Sequence, residues 1–179
     1  PGAKPIQPAR AKVLTLEKLA VAVRAAQQAG KRVAHCHGCF DILHCGHLRH
    51  FEAARGLADI LVVTVTPDAF VRKGPNRPVF PGEQRAEVLA GLRSIDWVAI
   101  NRWDSAVETI RLLRPNAFVK GEEYETRAMQ VNPNFIAEAE AVRQVGGDVA
   151  FTRELTLSST AAFQKVAGAR EQAMSKTGQ

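Results

Sequence analysis

All five histidines and all three cysteines of this chain lie in residues 35–50, which read HCHGCFDILHCGHLRH. The residues before Gly38 favour a buried strand, and Gly38 interrupts it. After the glycine, the apolar spacing of Leu48, Phe51 and Ala54 is typical of a helix. The run therefore predicts a strand, a loop and the start of a helix. Such a junction presents backbone N–H groups and the positive end of the helix dipole to an anion.

His44 and His47 stand three residues apart around Gly46, so both imidazoles can face one phosphate while the glycine lets the backbone approach it closely. Two other interpretations compete with a phosphate site. The pairs Cys36-x2-Cys39 and His44-x2-His47 superficially resemble a zinc site, although four residues between the pairs, three of them apolar, make a closed site cramped. The third interpretation is a chance cluster of ordinary core thiols and surface imidazoles.

Residues 38–47, GCFDILHCGH, closely resemble the signature G-x-F-D-x-x-H-x-G-H of the cytidylyltransferase-like nucleotidyltransferases. That family includes cytidylyltransferases acting on glycerol-3-phosphate, choline phosphate and ethanolamine phosphate, and the heptose-1-phosphate adenylyltransferases. Six fixed positions in ten residues are far more specific than an isolated H-x-G-H. The resemblance therefore favours the phosphate interpretation of the histidines.

The whole chain of 179 residues suits one globular domain. We expect a flexible lead-in at 1–13, a nucleotidyltransferase domain at 14–166 and a polar tail at 167–179. The formal charge of +6 is scattered and lacks interleaved aromatic residues, so it favours small phosphorylated ligands over nucleic acid. The three cysteines do not form a disulfide framework, which fits a reducing compartment. The sequence also has no apolar run of about 20 residues and no signal peptide. We therefore expect a cytoplasmic protein without membrane association.

Helical and strand patterns alternate along the chain. The sequence predicts a helix at 15–28 capped by Thr15, strands at 32–37, 59–65, 95–100, 117–119 and 148–152, and helices at 47–55, 83–92, 104–113 and 133–145, with Asp104 as the cap of the 104–113 helix. This alternation predicts an α/β fold, Rossmann-like, with a parallel sheet of about five strands and helices on both faces. His44, His47, Asp68, Lys120 and Arg153 each follow a predicted strand, so they should converge at the carboxyl edge of the sheet.

The resemblance extends from about Val33 to Thr160. Arg85 looks like the family's helix arginine, and Phe118-Val119-Lys120-Gly121-Glu122 resembles its V-K-G-D-Y segment. Arg153 followed by Ser158-Ser159-Thr160 is similar to the family ending R-T-x-G-I-S-T-T. The chain departs from the family at Glu122 and Glu123, where Asp is frequent, at Thr156 in place of Gly, and at Ser159 in place of Thr. These departures concern the base contact and the terminal loop.

The resemblance implies in-line transfer of a nucleoside monophosphate, in which an acceptor phosphate attacks the α-phosphorus of a nucleoside triphosphate and pyrophosphate leaves. His44 and His47 would stabilise the transition state, Lys73 would bridge the phosphates from a basic loop, and Arg153 would grip the triphosphate. The enzyme's task is then positioning and neutralising charge. Ser158, Ser159 and Thr160 would hold the pyrophosphate at a helix N-terminus, an arrangement that the helix dipole favours.

Further residues follow from the same resemblance. The remaining nucleotide-binding residues would be Gly38, Cys39, Phe40, Asp41, Gly46, Lys120, Gly121 and Glu122. Asp41 would orient its loop, Arg77 would close over the substrate together with Lys73, and Asp68 and Arg85 would lie on the acceptor side. Mg²⁺ would be carried by the nucleotide phosphates and not by side chains of the protein.

The nucleotide and the acceptor stay open at this point. Residues 38–86 most resemble the heptose-phosphate adenylyltransferase branch, which uses ATP, whereas Arg153 before Ser-Ser-Thr looks more like the cytidylyltransferases. We favour CTP, with an ADP-heptose-type adenylyltransferase as the alternative. The acceptor would be a sugar phosphate, a polyol phosphate or a similar phosphonate. A second alternative is a non-catalytic nucleotide-binding module of a larger fusion protein, and the family resemblance also implies a homodimer.

Overall fold

The computed structural model describes residues 8–126 and 131–153. They form a parallel five-stranded sheet with α-helices on both faces. The strands are β1 Val33–Gly38, β2 Ile60–Val65, β3 Trp97–Ile100, β4 Ala117–Gly121 and β5 Asp148–Thr152. The helices are α1 Leu16–Gln28, α2 Cys45–Gly56, α3 Gly82–Ala90, α4 Val107–Leu113 and α5 Pro133–Gln144. Within these residues no helix is long and apolar enough to cross a membrane.

The strand order is β3-β2-β1-β4-β5, and every pairing is parallel. From β1 the chain first builds outward through β2 and β3, and then returns to the other side of β1 with β4 and β5. The order therefore reverses between β1 and β4, and ligands of open α/β sheets bind in the crevice at that point. The predicted α/β, Rossmann-like fold with a parallel five-stranded sheet is confirmed.

Strand β1 is buried on both faces, which explains its lack of polar alternation. Cys36 packs with Phe51 of α2 and Leu89 of α3 in one apolar cluster. On the other face, Val33 packs with Leu19 of α1 in a second cluster. Because both faces are covered, β1 is held rigidly, and the loop that follows it starts from a fixed point.

Two predicted helix starts are corrected by the structure. Helix α2 begins at Cys45, two residues before the predicted start, because His44 takes the extended conformation of an N-cap. Helix α4 begins at Val107, and Asp104 is not its cap. The side chain of Asn101 donates to the carbonyl oxygens of Trp103 and Ser105, which holds the preceding residues in turns.

The predicted flexible lead-in differs from the structure at its described end. Residues Ala9–Lys12 form a short 3-10 helix beside α3. Lys12 Nζ donates to the carbonyl oxygens of Leu92 at 3.2 Å and Ile95 at 2.9 Å, and Leu14 N donates to Val98 O at 2.8 Å. These bonds attach residues 8–13 to the domain. Residues 1–7 and the predicted polar tail lie outside the described residues.

Candidate active site

A cavity of about 210 Å³ opens at the carboxyl ends of β1 and β4, where the strand order reverses. Nine of the residues predicted from the sequence line this cavity, which we call the first cavity. They are Gly38, Cys39, Phe40, His44, Gly46, His47, Lys73, Lys120 and Gly121. The signature loop, the N-terminus of α2, the basic loop and the end of β4 therefore meet as the sequence predicts.

The two signature histidines are stacked at the N-terminus of α2. Their ring centroids are 3.9 Å apart, with an angle of 26° between the ring planes. The backbone N–H of His44 donates to His47 Nδ1 over a long 3.4 Å. A nitrogen that accepts a hydrogen bond carries no proton, so neutral His47 holds its hydrogen on Nε2. The helix thus sets the tautomer of His47 and leaves Nε2–H as a donor.

The surroundings of both histidines disfavour the charged imidazolium form. Burial, together with smaller contributions from nearby His44, His50 and Lys73, lowers the pKa of His47 to about 4. Burial also lowers the pKa of His44, with a smaller contribution from the Lys73 cation. Both ring nitrogens of His44 are buried, and beyond the loose capping-box approach of the His47 backbone N–H they have no hydrogen-bond partner among the described residues. A buried polar group without a hydrogen-bond partner destabilises the protein. A phosphate oxygen bound in the cavity would accept a hydrogen bond from the ring N–H of His44.

The loop before α2 is fixed by Phe40 and Gly38. Phe40 has a φ of 48°, and its ring packs on Phe51 with centroids 5.1 Å apart and edge-on to His47 at 5.7 Å. A Cβ atom at position 38 would lie 2.9 Å from Phe40 Cζ. Gly38 is therefore required where the aromatic ring folds back over the end of β1. The same ring packs against the imidazole of His47 and supports it.

Lys120 brings a buried cation to the same cavity. Its Nζ lies 2.8 Å from Glu138 Oε2 of α5, and 4.7 Å and 4.8 Å from the ring centroids of Phe118 and Tyr124. The carboxylate and the two rings fix the ammonium group at the edge of β4. Lys120 is only 7% exposed, so its charge acts in a medium that screens it weakly.

The structure places Asp41 and Arg77 beneath the site and not in it. Asp41 accepts the N–H groups of Val79 at 2.9 Å and Phe80 at 3.0 Å, and Arg77 Nε donates to it at 2.6 Å. Burial alone would raise the pKa of Asp41, but these two amides and the guanidinium together lower it. The Asp41 carboxylate therefore ties the basic loop to the signature loop. The Arg77 side chain is 1% exposed and does not line the first cavity, and its substrate contact stays a prediction.

Arg85 and Asp68 also belong to the framework. Arg85 donates to the carbonyl oxygens of Cys39, Phe80 and Thr66 and pairs with the Asp68 carboxylate. Its side chain is fully buried. Neither residue lines the first cavity, and their predicted place on the acceptor side stays a prediction. The Arg85 guanidinium joins the signature loop to the loop after β2.

Three further predictions concern the end of the domain. Arg153 is exposed and lies 3.5 Å from the Glu125 carboxylate, and it does not line the cavity. Glu123, and not Glu122, reaches the lining. Ser158, Ser159 and Thr160 lie outside the described residues, so their role stays a prediction.

A second cavity of about 460 Å³ adjoins the first. The two share a wall of six residues, namely His37, Gly38, Cys39, Lys73, Lys120 and Tyr124. Beyond this wall the second cavity is lined by the polar side chains of Asp104, Ser105, Asn132 and Asn134. The site therefore has two halves, with Lys73 and Lys120 at the boundary between them.

Several lining residues were not predicted from the sequence. His50 lies one helical turn after His47, and its Nδ1 is 2.6 Å from Thr152 Oγ1 at the end of β5. The i, i+3 spacing and the position of Thr152 at a strand end could have indicated both residues. Tyr124 carried no comparable signal. His37 was part of the histidine run but was not assigned a role.

The zinc interpretation receives no support from the described part of the chain. Cys36 is buried in the core, where burial raises the pKa of its thiol to about 12. Among residues 8–126 and 131–153, no group of three or more histidine, cysteine or acidic side chains is placed to hold a metal ion.

Comparisons with known proteins agree with this geometry. Residues 35–165, more than half of the chain, match the family model described as cytidylyltransferase-like. A bifunctional protein HldE from Chromohalobacter salexigens is 45% identical over 130 residues, which cover 72% of this chain and 26% of that protein. The HldE of Alkalilimnicola ehrlichii is 41% identical over 153 residues, covering 84% of this chain and 31% of the relative. The chain thus spans less than a third of the length of these relatives.

The fold also recurs among solved structures. The lipopolysaccharide core biosynthesis protein from Thermoplasma volcanium GSS1 superposes with a TM-score of 0.57 at 22% identity, covering 72% of this chain and all of that one. At that identity the superposition supports the fold alone. The signature at the N-terminus of α2, the strand order and the family match over residues 35–165 agree with one another. The chain belongs to the cytidylyltransferase-like family of nucleotidyltransferases.

Proposed function

We propose that this chain transfers AMP from ATP to a phosphorylated sugar and releases pyrophosphate. The observation that carries the proposal is the stacked pair His44 and His47 at the N-terminus of α2, facing a cavity that Lys73 and Lys120 also line. Four donor side chains around one small volume are suited to the charge that accumulates on a phosphoryl group in transfer. None of them needs to form a covalent bond with the substrate.

ATP replaces CTP as the favoured nucleotide for two reasons. The HldE relatives contain a heptose-1-phosphate adenylyltransferase part, which is the ATP-using branch that residues 38–86 resemble. Arg153 favours CTP only if it contacts the triphosphate and the base. In the structure Arg153 faces Glu125 at the surface and does not line the first cavity, so that argument loses its support.

In this mechanism a phosphate oxygen of the acceptor attacks the α-phosphorus of ATP, and the bond from that phosphorus to the bridging oxygen of pyrophosphate breaks. His47 donates through Nε2–H, and the nitrogens of His44 lie beside it. Lys73 and Lys120 lie on the boundary of the two cavities, so their charges would flank the reacting phosphates. Negative charge that builds up on the phosphoryl oxygens is then neutralised by groups already in place.

The acceptor fits the second cavity. Its phosphate would lie at the shared wall, and its hydroxyl groups would face Asp104, Asn132 and Asn134, since carboxylate and amide groups bind hydroxyls well. Mg²⁺, which prefers phosphate oxygens and water, would be carried by ATP, with Glu123 as the carboxylate that lines the first cavity. Bound there, it would neutralise the charge of the leaving pyrophosphate.

The proposal is tested by pyrophosphate release with Mg²⁺, offering ATP and CTP separately against a panel of sugar 1-phosphates and polyol phosphates. We expect release that requires one acceptor and is at least about tenfold faster with ATP. Faster release with CTP would overturn the choice of nucleotide. No release with any pair, together with nucleotide binding by calorimetry, would instead favour the non-catalytic binding module.

Lys73 gives a prediction for nucleotide binding. The Lys73→Met variant is expected to bind ATP about tenfold more weakly, because it lacks the ammonium group that would contact the triphosphate. Its unfolding temperature should stay the same. Lys73 is exposed, so its loss costs little packing. Calorimetric titration with ATP measures the change, and Lys18→Met on α1 is the matched control. Equal affinities of the Lys73 variant and the wild type would remove this lysine from the site.

The homodimer that the family resemblance implies stays a prediction. Sedimentation equilibrium of the chain measures its mass in solution directly. A monomeric mass together with full activity would show that each site is complete within one chain.

A further inference from the structure

A buried hydrogen-bond chain runs beneath the wall between the two cavities. His35 Nε2 lies 2.7 Å from Thr64 Oγ1, and His37 Nδ1 lies 2.9 Å from the same oxygen. His35 and Thr64 are completely buried, whereas His37 lines both cavities. The three residues belong to the paired strands β1 and β2, which hold them in register. The proposed phosphoryl-transfer mechanism assigns no role to His35, Thr64 or His37.

The positions of the hydrogens in these two hydrogen bonds can be assigned by counting donors. The Thr64 hydroxyl has one hydrogen, so it can donate to only one of the two rings and must accept from the other. His35 Nδ1 is buried and has no hydrogen-bond partner among the described residues. If Thr64 donated to His35 Nε2, the neutral ring would carry its hydrogen on Nδ1 as an unpaired buried donor, which is rare in proteins. His35 therefore donates to Thr64. The Thr64 hydroxyl then keeps its own hydrogen available for His37 Nδ1, and the arrangement in which it donates there is the one that we adopt.

This arrangement fixes the tautomer of His37. A neutral ring that accepts at Nδ1 carries its hydrogen on Nε2. Burial and, to a smaller extent, the Lys120 cation lower the pKa of His37 to about 3, although a hydrogen bond with the Thr64 backbone opposes them, so the ring is neutral at physiological pH. His37 therefore presents a single N–H donor to whatever lies beyond Nε2.

The donor is directed toward the second cavity. His37 Nε2 lies 3.3 Å from Thr66 Oγ1, and Thr66 lines the second cavity but not the first. A hydrogen bond of that length is weak and is readily exchanged for a shorter one to a charged oxygen. The ammonium groups of Lys73 and Lys120 line the same wall, so an anionic oxygen is favoured there.

We propose that His37 is a substrate-positioning residue, which donates through Nε2–H to the phosphate of the acceptor in the second cavity, with His35 and Thr64 holding the ring in the required tautomer. This inference rests on the proposed function in one respect, namely that the acceptor is a phosphate ester. It assigns a phosphate contact in addition to the signature histidines, and it makes Thr64 a positioning residue that acts through His37.

The tautomer is tested directly by ¹⁵N NMR of the wild-type chain with labelled histidine, using His37→Gln to assign the signal. We expect the His37 ring to carry its hydrogen on Nε2, and its signals to shift when inorganic phosphate or glucose 1-phosphate is added. An Nδ1–H tautomer would overturn the proposal, as would signals that neither ligand changes. This measurement needs no turnover, so it stands even if no pyrophosphate is released and the proposed function fails.

Kinetics then separate positioning from a merely structural role. His37→Ala is expected to raise the KM for the acceptor about 10- to 100-fold, the effect of one hydrogen bond to a charged group, while ATP affinity stays within about twofold. In His37→Gln the side-chain amide nitrogen replaces Nε2, and we expect the KM to return to within about threefold of wild type. Thr64→Val is expected to raise the same KM without changing ATP affinity. An unchanged acceptor KM in a folded His37→Ala protein would contradict the proposal.

Discussion

The His47→Ala variant is expected to turn over about 10²- to 10³-fold more slowly than the wild type while keeping its fold. His47 is neutral, and its Nδ1 accepts the backbone N–H of His44, so it offers Nε2–H to the phosphoryl group. This donor is in place before the substrate arrives, since the helix N-terminus and the Phe40 ring fix the imidazole. A preorganised donor of this kind is worth most where charge develops in the transition state.

The measurement is steady-state pyrophosphate release, with circular dichroism to show that α2 remains folded. Leu48→Ala is the matched control, because Leu48 is the next residue of the helix and is 40% exposed. His47→Gln, which places an amide N–H near the former Nε2, should recover part of the lost rate. A folded His47→Ala protein with near-normal turnover would remove His47 from the mechanism.

The sheet and the signature site could be predicted from sequence because their signals are local. The apolar run of β2 and the helical spacing after His47 each lie within a few residues, and parallel strands bring their carboxyl ends together. Of the five residues that this pattern predicts to converge, the structure brings His44, His47 and Lys120 to one cavity, whereas Asp68 and Arg153 do not line it. The start of α4 was wrong because the turn before it depends on Asn101, whose side chain binds two backbone carbonyls.

The arginines Arg77 and Arg85 show which contacts a local sequence pattern cannot predict. Near a phosphate signature, a basic side chain in a loop or a first helical turn suggests a ligand contact. In the structure, Arg85 is fully buried and donates to three carbonyl oxygens, and Arg77 pairs with Asp41. Their partners come from residues up to 46 positions away, so no local pattern announces them. An arginine provides five donors in a rigid fork, which suits it equally to joining loops and to binding phosphate.

The Asp41→Asn variant is expected to lower the free energy of unfolding by about 3 kcal/mol, the usual cost of breaking a buried ion pair on one side. The Asp41 and Arg77 side chains are 0% and 1% exposed, and the carboxylate also accepts two backbone amides. Asparagine keeps the volume but removes the charge and one acceptor oxygen. Urea unfolding of both proteins measures the difference, and Glu87→Gln, which breaks a surface pair with Arg10, should leave stability nearly unchanged.

The pH dependence of this difference identifies its electrostatic part. The folded-state pKa of Asp41 lies below its ordinary value of 3.8, so the ionised carboxylate stabilises the fold above that pH and loses its contribution as the pH falls through the folded-state value. The stability gap between wild type and Asp41→Asn should therefore be constant near neutrality and shrink below about pH 4. Because Asp41 also fixes Val79 and Phe80 at the end of the basic loop, the variant should bind ATP less tightly at pH 7 through Lys73. A gap that stays constant down to pH 3 would instead assign the loss to packing.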